Sequence, residues 1–119
     1  MKLECQIGKI KSALTTAERI TGKNLTLPVL STVLFVASDK VLKIRATNLN
    51  LGIEINVPAK IDKEGVVAIR GDILSSLFGV LSGDSNVVFE LVNGNLSVKT
   101  KTSTVLLKSI SHEDFPTIP

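Results

Sequence analysis

The sequence predicts an α+β domain in which one strand-helix-three-strand unit occurs twice, with both helices on one face of antiparallel sheets. Three observations predict it. Two amphipathic stretches each follow a short apolar strand and open at a glycine: Ile7-Gly8-Lys9-Ile10-Lys11-Ser12-Ala13-Leu14 and Arg70-Gly71-Asp72-Ile73-Leu74-Ser75-Ser76-Leu77. Gly, Ile, Ser and Leu recur between them at a shift of 63 positions (8 to 71, 10 to 73, 12 to 75, 14 to 77). Further on, the run from Phe35 to Ile44 matches that from Phe89 to Val98 at a shift of 54, which leaves nine extra residues (63 − 54) in the first copy, around Thr21 to Leu30. Self-similarity at a fixed offset marks a duplicated unit, and two copies are too few for a solenoid. The copies span 2–59 and 65–111 of a single domain, 1–119.

The elements follow in order. Lys2 to Gln6 is expected to be a strand. From Gly8 to Ile20, at about 100° per residue, Ile7, Ile10, Leu14 and Ala17 share one side of a helix, with Ala13 and Ile20 at its edge. Lys9, Ser12, Thr16 and Arg19 fall opposite, a cationic stripe. Gly22 and Lys23-Asn24 break the helix. Strands Thr32 to Ser38 and Val41 to Thr47 meet through Asp39-Lys40, a two-residue hairpin turn. Leu51 to Pro58 alternates Leu51, Ile53, Ile55 and Val57 against Gly52, Glu54 and Asn56, one buried face against one wet face. Lys60 to Gly65 reads as a charged connector. The second copy runs Val66 to Ile69, a helix over Asp72 to Leu81, then a hairpin of Asn86 to Val92 and Asn95 to Thr100 on Asn93-Gly94, and a last strand from Ser103 to Ile110. That makes two helices and about eight strands. The tail from His112 to Pro119 holds two prolines and reads as a linker, 112–119, toward a further domain.

Composition narrows the function. Hydrophobic residues make up 44% of the chain and aromatic ones 3%, so the core is expected to be aliphatic. No apolar run is long enough to span a bilayer, which excludes a membrane role, and Met-Lys-Leu-Glu-Cys has no signal-peptide character. One cysteine forms no internal disulfide, which points to a reducing, cytoplasmic setting. A net charge of +3 permits a polyanionic partner without requiring one. Catalytic chemistry is scarce. Cys5 and His112, the only residues of their kinds, make no zinc cluster. No Gly-x-Ser-x-Gly elbow, phosphate loop or dinucleotide fingerprint is found. The carboxylates sit among lysines on presumed strand faces and turns. These observations predict a protein that is not an enzyme and uses no cofactor or metal.

Three segments then carry a family resemblance: Met1-Lys2-Leu3 leading into the first helix; Thr26-Leu27-Pro28-Val29-Leu30-Ser31 with the following strand and Thr47-Asn48-Leu49; and Asp114-Phe115-Pro116. In this order and over essentially the whole chain they resemble the N-terminal domain of the bacterial DNA polymerase III beta subunit, the replication sliding clamp. The resemblance implies a DNA-clamp-like domain with its helices inside and its sheets outside. Three such domains would form a protomer, and two protomers a head-to-tail homodimeric ring around duplex DNA. The ring tethers the replicative polymerase, is placed by a clamp loader and catalyses nothing. Phosphate contact without base readout gives sequence-independent binding that permits sliding.

The resemblance implies DNA contact by Lys9, Arg19 and Lys23, with Asn24 standing where a cation is common and Arg70 the one cation beside the second helix. That helix departs from the pattern, since Asp72, Ser75, Ser76 and Gly79 fill its polar side. Thr47-Asn48-Leu49-Asn50 lacks two carboxylates usual in the family, and a turn-stabilising role is expected for Thr47 and Asn48. The resemblance also puts the protomer interface on the last strand, with Val105 and Leu107 supplying apolar contact. From the residues alone, either 105 and 107 or 104, 106 and 108 must face the domain's own core. A different reading is a stand-alone β-rich module that binds peptides by strand addition along Ser103 to Ile110.

Overall fold

A computed structural model describes residues 1–21, 28–48, 50–81, 85–113 and 115. Its elements are β1 (Lys2–Gln6), α1 (Ile7–Ile20), a 3-10 turn (Pro28–Ser31), β2 (Thr32–Ser38), β3 (Val41–Thr47), β4 (Gly52–Pro58), β5 (Lys60–Lys63), β6 (Gly65–Arg70), α2 (Gly71–Gly79), β7 (Asn86–Val92), β8 (Asn95–Lys99) and β9 (Thr104–Leu107). The fold is α+β, with two antiparallel sheets ordered β5-β1-β7-β8-β9 and β4-β3-β2-β6.

The strand order shows that the two copies exchange their first strands. β1 leaves the first copy and pairs with β7, while β6 leaves the second and pairs with β2. Each sheet is therefore a three-strand meander from one copy completed by a strand of the other, and β5, from between the copies, adds a fifth strand beside β1. The α1 helix packs against α2, β1, β3 and β4, and α2 also packs against β6, so helices and sheets share one core.

Both hairpin turns form where expected. Asp39 and Lys40 take φ of 53° and 65°, and Asn93 and Gly94 take 52° and 81°, the paired left-handed geometry that matches the twist of the flanking strands. The β3–β4 and β8–β9 connections are each closed by a backbone bond from the first residue to the fourth, Asn48 N–H to Leu51 O at 3.1 Å and Thr100 N–H to Ser103 O at 2.9 Å. Asn48 Oδ1 also accepts from the N–H groups of Asn50 and Leu51, and Thr47 Oγ1 donates to Leu51 O. Thr47 and Asn48 thus hold the turn, as expected.

Four expectations are corrected. The segment Lys60–Lys63 is an edge strand, antiparallel to β1, rather than a connector; Ile61 faces inward while its charged neighbours stay wet, which suits a sheet edge. Among the described residues the strand total is therefore nine. The last strand ends at Leu107, and the chain crosses to the other sheet, where Ile110 N–H donates to Ala68 O at 2.9 Å and caps the open edge of β6. The core is not wholly aliphatic, because three of the four phenylalanines meet at its centre. Phe35 and Phe89 stand edge to face with centroids 5.4 Å apart, and Phe78 lies 5.9 Å from Phe89. Such pairs contribute about 0.5–1.5 kcal/mol beyond the area they bury.

The fourth correction concerns the repeat offset. Burial aligns the strand-helix segments at 64 rather than 63: Leu3, Cys5, Ile7, Ile10 and Leu14 answer to Val67, Ile69, Gly71, Leu74 and Phe78, every one buried. At 63, fully buried Ile10 would answer to Ile73, which is 41% exposed. The letters that coincide at 63 fall on different faces of the two helices; packing against the sheets, not residue identity, sets the equivalence.

Candidate nucleic-acid interface

The buried side of α1 comprises Ile7, Ile10, Ala13, Leu14 and Ala17. Fixing that side against the core fixes the other. Gly8, Lys9, Ser12, Thr15, Thr16 and Arg19 are exposed. Lys9 and Arg19 stand about 15 Å apart along the axis, ten residues at 1.5 Å each. Between them the side chains are short, and Thr15 and Thr16 donate their hydroxyls back to the carbonyls of Lys11 and Ser12. This leaves a low floor between two exposed cations. A groove of about 390 Å³ borders the stripe, with Lys9, Ser12 and Thr16 on one wall and Ile55 and Pro58 of β4 on the other.

Electrostatics sharpen the difference between the helices. The first turn of α1 has no acidic residue and carries Lys9. A cation there lies at the positive end of the helix dipole, a placement that costs about 0.3–1 kcal/mol and raises the local positive potential. The first turn of α2 instead carries Asp72, whose Oδ2 takes Arg70 Nη2 at 2.6 Å while its Oδ1 accepts the Ile73 N–H. Arg70 is exposed, and its charge is already paired. Arg45 is likewise paired with Glu54 across β3 and β4 at 2.6 Å. Among the described residues these are the two ion pairs, so Lys9 and Arg19 keep their charges unneutralised.

Lys23 and Asn24 lie outside the described residues. One cation that the sequence pattern did not single out is Lys11. It is half-buried, and its Nζ donates to Leu81 O just beyond α2 at 3.4 Å, so it ties the helices together. Its position between the wet and dry sides of α1 was the available signal.

On β9, Val105 is half-buried and Leu107 is 8% exposed, both facing this domain's core, whereas Leu106 is 59% exposed. Val105 and Leu107 thus take the inward of the two arrangements open to the strand, and alternation turns Leu106 outward. The strand forms one edge of its sheet.

Among the described residues no group of three or more metal-ligating side chains gathers, and no helix is long and apolar enough to cross a membrane. Burial, with a smaller push from the Glu4 charge, raises the Cys5 thiol to about 12. It stays protonated at neutral pH and is a poor nucleophile.

A strand-exchanged pair of sheets with two helices in contact is the fold of solved DNA sliding clamps. Solved structures share it along the whole chain: Caulobacter crescentus pol III beta, at a TM-score of 0.92 and 24% identity, covers 100% of this chain and 32% of its own. The DNA polymerase III beta subunit of Thermotoga maritima, also at 0.92 and 24%, covers 99% and 32%. Among curated relatives, the beta sliding clamps of Synechococcus elongatus and Treponema pallidum are each 26% identical over 121 aligned positions. The family model described as DNA polymerase III beta subunit, N-terminal domain, matches residues 1–119, and the chain belongs to that family. It spans 32% of the length of these curated relatives.

Proposed function

We propose that this chain acts as the first domain of a ring-shaped sliding clamp, a non-catalytic processivity factor of the cytoplasm that encircles duplex DNA and tethers the replicative polymerase. The observation that carries the reading is the exposed, unpaired cationic stripe of α1 on a domain of the clamp family. Lys9 and Arg19 meet phosphates of the duplex, with Lys23, Asn24 and Arg70 as further approach points. The 32% coverage of the relatives supports two more domains in the complete protomer. Ring closure as a homodimer uses the open edge of β9, with Leu106 as its apolar contact beside Val105 and Leu107. The clamp loader and the polymerase bind the complete ring.

Lys9→Glu with Arg19→Glu in the full-length protein tests this. Retention on closed circular DNA is expected to fall sharply, with an unchanged melting temperature. The slope of log affinity against log salt should shrink by about 0.9 for each duplex phosphate that is no longer neutralised. Unchanged retention and slope would remove both residues from the site. The exposed edge of β9 also supports strand addition to a peptide, the alternative function. Peptide binding with no salt-dependent DNA affinity would favour it.

A further inference from the structure

Three lysines outside any ion pair of the described residues surround one depression, of about 480 Å³, where the two sheets meet at the start of α1. Lys9 comes from the first turn of α1, Lys40 from the β2–β3 turn and Lys60 from the start of β5. The backbone enforces their proximity. Lys40 is held at φ 65°, and its carbonyl accepts the Ala59 N–H at 3.1 Å, which pins the turn of one sheet to the corner that begins β5 of the other. Among the described residues the acidic group in the depression is Glu4, and its Oε2 accepts from Asn86 Nδ2 at 2.8 Å; Asp39 precedes Lys40 on the turn. All three lysines are exposed. Like charges fixed around one concavity repel, and an anion laid across them relieves that repulsion.

The shape selects the anion. The depression is open, so it does not enclose a small ion, and it is too small to seat a duplex. The backbone of one strand fits. No aromatic side chain lines it, so bases find no stacking platform and the contact is to phosphate alone. Lys9 also belongs to the stripe proposed above to face the duplex, so the depression and the stripe share one cation.

We propose that this seam holds the phosphate backbone of a single DNA strand as it leaves the duplex, with Lys40 and Lys60 as its own contacts and Lys9 shared with the duplex site. The inference rests on the duplex-facing assignment of α1. The test uses the full-length protein with two probes: a blunt duplex, and the same duplex carrying an oligothymidine overhang. Lys40→Gly suits the left-handed turn, and Lys60→Gln keeps an exposed polar residue on an edge strand, so the double variant is expected to fold as the parent does. It should bind the overhang probe roughly tenfold more weakly at low salt, with a slope smaller by about 0.7 for each single-strand phosphate that is no longer neutralised, while blunt-duplex binding is unchanged. Lys40→Arg with Lys60→Arg should retain overhang binding. Unchanged overhang binding in the Lys40→Gly, Lys60→Gln variant overturns the proposal, and so does equal weakening on both probes, which would make these lysines duplex contacts. If Lys9→Glu with Arg19→Glu spares the blunt duplex while the Lys40 and Lys60 variant still weakens the overhang, the duplex reading fails and the seam stands alone.

Discussion

The α1 and α2 helices occupy equivalent places in two copies of one unit, yet only α1 presents free positive charge. Their buried sides match at an offset of 64: Ile7, Ile10 and Leu14 against Gly71, Leu74 and Phe78. Their exposed sides diverge. The longer α1, with 14 residues, carries Lys9 and Arg19 and no acid in its first turn, while the 9-residue α2 opens with Asp72 and neutralises Arg70. The comparison teaches that packing constrains one side of each helix and leaves the other to function. The duplicated scaffold therefore does not require duplicated surfaces, and α2 packs against α1, with Lys11 bonded to Leu81 O just beyond it.

Three predictions break or sharpen that comparison. The largest concerns the shared core. Phe35→Ala and Phe89→Ala remove equivalent, fully buried rings, and each should destabilise by about 3–5 kcal/mol. Phe89 touches both Phe35 and Phe78, so its removal should cost more. Chemical denaturation would measure the order, and the reverse order would show that the two halves of the core are not balanced around Phe89. A smaller effect is expected from Asp72→Asn, which makes α2 resemble α1 by freeing Arg70. Losing an exposed ion pair and an acid at a helix start should cost about 0.5–1.5 kcal/mol. The salt slope of duplex binding by the full-length protein should steepen by up to about 0.9; an unchanged slope would place Arg70 away from DNA. Effects of opposite sign belong to the paired hairpin turns. Lys40→Gly should stabilise by about 0.5–1 kcal/mol, because glycine accepts the left-handed geometry that a side chain resists, and Gly94→Ala should destabilise by about 1–2 kcal/mol. Thermal melts would show opposite shifts.

What was legible in the sequence was local. The Asn93-Gly94 and Asp39-Lys40 turns, the alternation from Gly52 to Val57 and the 3.6-residue period of α1 are each written within a few neighbours, and each formed; Leu51, expected on the buried face, instead precedes β4 and is 54% exposed. The exposure of Lys9 and Arg19 followed from that period. Exchange of β1 and β6, the pairing of β5 with β1 and the crossing of the chain from Leu107 to Ala68 were not legible, because each joins residues far apart in sequence. The repeat offset misled by one because Gly8 and Gly71 share a letter but not an environment: Gly8 is exposed and Gly71 is buried. The salt bridge of Arg70 with Asp72 was the nearest miss, since both residues flank the start of α2 two positions apart.

The exchange of first strands also governs how the chain acquires its structure. The residues of β1 are synthesised first, yet their partners in β7 lie far downstream; Glu4 and Asn86, bonded in the finished fold, are separated by 82 positions. Such distant pairing raises contact order and slows folding. On the ribosome, β1 has emerged long before β7 exists, so the sheet containing both cannot be completed co-translationally until most of the domain is out. A chain holding the first copy alone would offer β1 no β7 and β2 no β6. It would complete its sheets only by trading those strands with a second molecule, as an obligate dimer of half-length chains.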